Sequence, residues 1–210
     1  MPVDLATLTA FIAAVLAVVL SPGPDTMLIL RYTMTGGRRI GLATVAGVQI
    51  GLLGHTLAAV LGLSLVILSW PMMFKGIAVA GALYLGWLAV QSVRAGVLEV
   101  AGREGGAPLG GLKACRDAML TNLLNPKVIL LFLALMPNFV VVERGQAPLQ
   151  LAVLGVVLIG VNTLYQVPLS LAAEAVRRWL GSAAVQRAVN WGTGAVLMSF
   201  AGLMLSRHLF

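Results

Sequence analysis

Charged side chains are scarce in this sequence of 210 residues. Only 10% of the residues are Asp, Glu, Lys or Arg, while 60% are hydrophobic. A soluble domain carries roughly a quarter charged residues, so this composition indicates an integral membrane protein. Cysteine occurs once, at Cys115, which excludes an intrachain disulfide and a cysteine-based metal cluster.

Several chemical signatures are also missing. The sequence has no paired carboxylates for acid/base catalysis, no histidine cluster, no phosphate-binding loop and no Ser/His/Asp set, so we expect no enzyme, metal or cofactor. The net charge of +7 comes from scattered basic residues without interleaved aromatics, so nucleic acid is not an expected partner. The N-terminus lacks a basic region and carries Asp4, so we interpret it as a membrane span and not as a signal peptide.

Six apolar segments are long enough to cross a bilayer as helices, which takes about 20 residues each. They are, in order, Leu5–Arg31, Ile40–Leu68, Pro71–Val93, Ala118–Val142, Pro148–Ala173 and Ala188–Leu205. No strand pattern is present, and the connection at about 94–116 is rich in glycine and charge, as a cytoplasmic linker would be. The sequence therefore predicts an all-α integral membrane protein with one transmembrane domain, residues 1–210.

The basic residues lie mostly on one side of these six segments. Ten of the fourteen follow the first, third or fifth segment: Arg31, Arg38, Arg39, Arg94, Arg103, Lys113, Arg116, Arg177, Arg178 and Arg187. Lys75, Arg144 and Arg207 fall on the other side, and Lys127 falls within the fourth segment. Because cytoplasmic loops carry the excess of Lys and Arg, both termini are predicted to be periplasmic.

Proline motifs interrupt the first and the fourth segment. Ser21-Pro22-Gly23-Pro24-Asp25 breaks the first, and Asn122-Leu123-Leu124-Asn125-Pro126-Lys127 breaks the fourth. An interior proline removes a backbone donor and clashes with the preceding turn. Matched interruptions in two halves point to a transporter's binding site, although each could also be a simple kink between packed helices. We predict two inverted three-helix repeats, at about 1–95 and 117–210.

The two breaks carry opposite charges inside the membrane. A half-helix that starts at a break has free N–H groups that attract carboxylates, and Asn125 and Pro126 suit its first positions. Lys127 adds a positive charge there, whereas Asp25 suits a substrate ammonium group or a coupling proton. An amino acid matches this pair of poles. Alternatively, Asp25 and Lys127 neutralise each other as an ion pair.

Further candidates lie on the second and fifth segments. Ala43, Gly47, Gly51, His55 and Ala59 share one face of a helix, which is typical of a packing seam. His55 on that seam is either a structural hydrogen-bond partner or a second proton-coupling candidate beside Asp25. The glycine-rich faces allow a homodimer and are explained equally well by packing within one chain.

Asn162, Tyr165 and Gln166 share one face of the fifth segment. Polar side chains are poorly placed against lipid, so this face is predicted to point into the bundle. The three side chains are either hydrogen-bonding links between helices or the lining of a path. The predicted substrate-binding residues are Gly23, Pro24, Asp25, Asn122, Asn125, Pro126, Lys127, Asn162 and Tyr165.

In combination, these motifs resemble the LysE/RhtB family of bacterial amino-acid exporters. The resemblance rests on the first motif with Thr26, the glycine-rich residues 36–43 with Gly47 and Gly51, the second motif, and Leu130–Val140. It implies a plasma-membrane exporter of amino acids or related metabolites, driven by the proton motive force. Many members have Asn where this chain has Asp25, so the resemblance does not make Asp25 an essential acid.

The sequence thus favours a secondary exporter of amino acids that works by alternating access. One alternative is a membrane scaffold or assembly subunit without transport. Another is an exporter of a different solute or of a metal ion, although the spans hold few carboxylates and histidines for a metal site.

Overall fold

The computed structural model describes residues 2–94, 110–173, 175–176 and 182–209, and in these ranges it contains helices and no strand. The α-helices are α1 (Leu5–Leu20), α2 (Pro24–Ala58), α3 (Ser64–Ser69), α4 (Pro71–Arg94), α5 (Gly111–Leu123), α6 (Pro126–Ala134), α7 (Ala147–Leu171) and α8 (Ala183–Leu209). A π-helical turn, Ala59–Leu63, joins α2 to α3, and 3-10 turns at Met136–Phe139 and Val142–Arg144 follow α6.

Four helical stretches are long and apolar enough to cross a membrane: Pro24–Leu63, Lys75–Arg94, Ala147–Leu171 and Ala183–Ser206. Helices α5 and α6 together form a fifth candidate span, bent by 51° between them, and α1 is a shorter apolar helix. The chain is therefore a multi-pass membrane protein. The count of six spans and the repeat arrangement stay predictions.

Two helix boundaries differ from the sequence prediction. Helix α2 continues through the expected gap between the first two segments, and only Gly37 leaves helical geometry, with φ 80° and ψ 176°. A conformation with positive φ suits glycine, which has no Cβ. Helix α5 begins at Gly111, inside the expected linker, because one face of it is buried through Ala114 and Ala118. Residues 95–109 of the linker, together with Arg177 and Arg178, lie outside the described residues.

The structure confirms both predicted breaks. Helix α1 ends at Leu20, and α2 restarts at Pro24 after an extended Gly23. Helix α5 ends at Leu123, and α6 restarts at Pro126. Proline at the first helical position costs no hydrogen bond, because that N–H has no partner within the helix.

The small-residue seam of α2 lies against α5. A Cβ built on Gly47 would lie 2.9 Å from the Ala118 Cβ, and one built on Gly51 would lie 2.6 Å from Asn122 Oδ1. These glycines let two helix backbones approach closely. The predicted packing seam is confirmed as a contact within one chain, and the homodimer stays a prediction.

An ion pair joins the start of α1 to the segment between α6 and α7. Asp4 caps α1 by accepting a hydrogen bond from the Thr7 backbone N–H at 2.8 Å. The Asp4 carboxylate also lies 2.9 Å from the Arg144 guanidinium. The hydrogen bonds from Thr7 and the charge of Arg144 lower the pKa of Asp4.

Candidate functional site

The two breaks lie side by side in the bundle. Lys127, in the first turn of α6, donates a hydrogen bond from Nζ to the backbone oxygen of Ser21 at 2.7 Å. Ser21 follows the last residue of α1, where helix carbonyls lack partners and carry partial negative charge. A Cβ built on Gly23 would lie 3.8 Å from Lys127 Nζ. The cation of the second break therefore rests against the backbone of the first.

The acid of the first break contacts the second break in the same way. Asp25, in the first turn of α2, accepts a hydrogen bond from Asn122 Nδ2 at 2.8 Å. Asn122 lies in the last turn of α5 and is completely buried. Each break thus holds the charged side chain of the other by a hydrogen bond.

Two acceptor atoms at this contact have no hydrogen-bond partner. They are Asp25 Oδ1 and Asn122 Oδ1, which are buried and form no hydrogen bond within 3.5 Å, although the Asn125 side chain also interacts with the Asp25 carboxylate. Buried polar atoms are almost always hydrogen-bonded, so two acceptors without donors at one place are unusual. The site can accept hydrogen bonds from a ligand that carries N–H or O–H groups.

A cavity of about 60 Å³ lies between the breaks. Its polar lining residues are Ser21, Asp25, Thr26, Asn122, Asn125, Lys127, Asn162 and Gln166. The structure thus brings both predicted poles, and both breaks, to one cavity. Among the described residues, none of the ion pairs within 4.0 Å joins Asp25 to Lys127, so both charges line the cavity without a direct contact.

The two prolines act through the backbone. Pro24 and Pro126 are the first residues of α2 and α6 and do not line this cavity. Asn125 caps α6, as predicted, because its side chain accepts a hydrogen bond from the Lys127 backbone N–H at 3.0 Å. Gly23 cannot cap α2 with a side chain. The helix start at the first break is therefore the more open of the two.

Helix α7 contributes a polar network to the cavity. Gln166 Oε1 accepts a hydrogen bond from Gln49 Nε2 at 2.9 Å, and Asn162 Nδ2 donates to Gln49 Oε1 at 3.4 Å. Asn162 and Gln166 are buried, which confirms that this face of α7 points into the bundle. The two residues both link helices and line the cavity.

Tyr165 and His55 lie beside the cavity and not in its wall. The Tyr165 hydroxyl interacts with the Thr26 side chain, and the ring borders an apolar groove between α1, α7 and α8. His55 Nε2 lies 3.3 Å from the backbone oxygen of Asn122, and its ring stacks on Phe132 with centroids 5.3 Å apart. His55 therefore contacts the backbone of Asn122 and helps to hold that residue in place.

Comparison of the sequence with known proteins identifies the family of this chain. The sequence model of LysE type translocators matches residues 16–208. The chain belongs to the LysE type translocator family. Its relatives include the homoserine/homoserine lactone efflux protein of Salmonella typhimurium, which is 30% identical over 90% of this chain and 91% of the relative.

Two further relatives span nearly the whole translocator. The uncharacterized membrane protein YrhP of Bacillus subtilis is 30% identical over 92% of this chain and 96% of its own length. The leucine efflux protein of Enterobacter sp. is 24% identical over 94% of both chains. No solved structure gives a significant match.

Sequence reasoning missed three groups that the structure places at this candidate site. Gln49 stands on α2 next to the small-residue seam, and a glutamine inside an apolar span was a usable signal. Thr26 directly follows the first motif and lines the cavity. The Ser21 backbone oxygen could not be found from sequence, because only the fold brings it to Lys127.

Proposed function

We propose that this translocator exports amino acids or closely related small polar metabolites across the bacterial inner membrane. The names of the relatives support efflux, since they include homoserine/homoserine lactone, leucine and threonine efflux proteins. Opposite charges on one buried cavity support a zwitterionic substrate. The observation that carries the proposal is the pair of acceptors without a hydrogen bond, Asp25 Oδ1 and Asn122 Oδ1, in residues that line the same cavity as Lys127.

In this mechanism the substrate binds by its two ends. Its ammonium group donates to Asp25 Oδ1 and Asn122 Oδ1, which lack donors. Its carboxylate takes the place of the Ser21 backbone oxygen as the acceptor for Lys127. A charged hydrogen bond to a carboxylate is stronger than one to a neutral carbonyl, so this exchange favours binding.

The second break does not bind the substrate carboxylate through the free N–H groups of a helix start. The Lys127 backbone N–H already has Asn125 as its partner. The carboxylate therefore meets the Lys127 side chain and not the first N–H groups of α6. Gly23 leaves the start of α2 without a side-chain cap, so that helix end adds partial positive charge near the same cation.

The Asp25 carboxylate also links export to a proton gradient. Asp25 can bind a substrate ammonium or a proton, and protonation removes the charge that holds the ammonium. Proton entry from the periplasm then favours release of the substrate there. His55, which contacts Asn122, is the second candidate for this coupling.

Alternating access suits the size of the cavity. Its volume of about 60 Å³ is far below the roughly 300 Å³ of a small-molecule pocket, so we interpret this conformation as closed around the site. Two polar contacts hold the ends of the bundle closed. The Asp4–Arg144 pair lies at the proposed periplasmic end, and the Tyr32 hydroxyl, 3.1 Å from Asp117, lies at the proposed cytoplasmic end.

We propose six spans in two inverted repeats. The helical stretch Pro24–Leu63 has 40 residues and would be about 60 Å long if straight, twice the thickness of a bilayer core. The kink at Gly37 divides it, so α1 with residues 24–36 makes one broken span. Helices α5 and α6 make the equivalent broken span in the second half, and both termini are periplasmic.

Export from intact cells tests this function. Cells that lack the gene or express it are loaded with dipeptides, and the external pool of each released amino acid is followed with and without an uncoupler. We expect efflux that depends on the native chain, that stops with the uncoupler, and that is lost in Lys127→Ala. Lys75→Ala, which removes an exposed lysine, is the matched control and should export normally.

Two outcomes of the export assay would contradict the proposal. If a chain shown to be folded in the membrane exports none of the amino acids tested, the proposed substrate class is wrong. If export occurs and Lys127→Ala exports as well as Lys75→Ala, the substrate class stands and the carboxylate site is wrong.

A further inference from the structure

A second cavity, of about 220 Å³, adjoins the central one. Four residues line both cavities: Val18, Ser21, Gly23 and Lys127. Half of the remaining lining residues, Leu88, Gln91 and Ser92, come from the last two turns of α4, and the others are Pro22, Pro24 and Leu197. We call this space the α4 chamber. Lys127 and the first break form the partition between it and the central cavity.

Ser92 has a hydroxyl without a partner in the wall of the α4 chamber. The residue is 8% exposed, and its Oγ is buried without any hydrogen bond. Serine and threonine within a membrane helix usually bond the carbonyl four residues earlier. Ser199 does so with Ala195, and Thr56 does so with Leu52. A buried hydroxyl that bonds nothing, in the wall of a cavity, marks a place where a polar ligand fits.

The position of the α4 chamber indicates from which side of the membrane a solute reaches it. The described part of α4 reaches Arg94, two residues beyond Ser92, at the end of the bundle that the distribution of basic residues assigns to the cytoplasm. The central cavity lies beyond Lys127 and is lined by residues deeper in α2 and α7, such as Leu52 and Leu158. A solute that enters beside the last turns of α4, from the Arg94 end, reaches the α4 chamber and meets Lys127 at its partition.

We infer that the α4 chamber is an entry subsite for the α-carboxylate of the amino-acid substrate. Lys127 supplies the charge and Ser92 donates a hydrogen bond from its hydroxyl. Lys127 also lines the central cavity, so the same ammonium keeps the carboxylate as the substrate passes the partition. This inference rests on the proposed function, because it assigns a role to Ser92 on the route to that site.

Thiol labelling in membrane vesicles tests the inference. Cys115 is first replaced in Cys115→Ser, so that Ser92→Cys carries the only thiol. An anionic and a cationic methanethiosulfonate reagent are compared, and L-leucine and L-homoserine are the protecting solutes. Ser182→Cys, at an exposed position just before α8 and outside the span, is the matched control.

We expect the Ser92→Cys thiol to react in inside-out vesicles, with the anionic reagent several-fold faster than the cationic one. An amino acid that the chain exports should slow this reaction, while labelling of Ser182→Cys stays unchanged. Adding Lys127→Met should remove the preference for the anionic reagent. Ser92→Ala should raise the half-saturating internal concentration of substrate several-fold and leave the amount of folded protein unchanged.

The proposed function and this inference can fail separately. Export by the Cys115→Ser chain confirms the function independently of any label. If that chain exports and its exported amino acid does not protect the Ser92→Cys thiol, the entry subsite is wrong. Equal rates for the two reagents, or normal half-saturation in Ser92→Ala, would also overturn it.

Discussion

The two broken helices differ in how well their own backbone is satisfied. At the second break, Asn125 caps α6 and Lys127 has an acceptor in the Ser21 backbone oxygen. At the first break, Gly23 offers no side-chain cap and Asp25 keeps one buried oxygen without a partner. The start of α6 at the second break is therefore fully hydrogen-bonded, whereas the start of α2 is not. The acceptors that a substrate would complete come one from each break, Asp25 Oδ1 and Asn122 Oδ1.

The largest expected effect of a substitution on transport is at the first break. Asp25→Leu removes both oxygens and should lower export about 100-fold, while Asp25→Asn keeps an acceptor and should lower it about tenfold, in line with the strength of charged hydrogen bonds. Asp25→Asn should also flatten the dependence of export on external pH. Glu143→Gln, at an exposed position, is the control. Normal export by Asp25→Leu would contradict the comparison.

The next effect concerns the seam that holds the second break in place. Gly51→Ala puts a methyl group within 2.9 Å of the Asn122 Cβ, so α5 must shift and Asn122 must leave Asp25. We expect a loss of about 1–3 kcal/mol in stability, measured by thermal unfolding in detergent, together with reduced export. Gly160→Ala meets no atom within 4 Å and should unfold like the native chain. Equal unfolding of the two variants would show that α5 is not fixed by this contact.

Substitutions can remove the side-chain cap from the start of α6 and add one to the start of α2. Asn125→Ala removes a cap and should destabilise the protein by about 1 kcal/mol. Gly23→Ser adds a cap where the backbone is extended and a Cβ has room, so it should stabilise the fold by a few tenths of a kcal/mol and reduce export. Thermal unfolding and export are measured on the same preparations. Increased export by Gly23→Ser would mean that an open helix start is not needed.

The smallest expected effect is at the surface. Hydrogen bonds from Thr7 lower the pKa of Asp4, so its contribution to stability is complete when the carboxylate is ionised and is lost as pH falls below about 4. Asp4→Asn should therefore slightly lower the unfolding temperature at pH 7. The difference between the two chains should shrink as the pH falls below about 4. A constant difference between the two chains from pH 7 to pH 3 would contradict this assignment.

The sequence was informative wherever chemistry is local. Proline beside asparagine predicted the start of α6, and small residues at a spacing of four predicted the seam of α2. A glycine that bends a helix could not be told from a loop, so the continuation of α2 through Gly37 was missed. The partners of Lys127 and Asp25 come from the opposite half of the chain, and no spacing rule gives contacts of that range. Ser92 gave no sequence signal, because a helical serine ordinarily bonds its own backbone.

In the proposed site, Lys127 recognises the carboxylate and Asp25 the ammonium group of one substrate. The most direct test is binding of an exported amino acid and of its amide to purified native chain, Lys127→Met and Lys75→Met. The native chain and Lys75→Met should bind the amino acid at least about tenfold more tightly than the amide, since a charged hydrogen bond is lost. Lys127→Met should bind both equally weakly. If Lys127→Met still prefers the amino acid by the native ratio, Lys127 does not bind the carboxylate and the account is wrong.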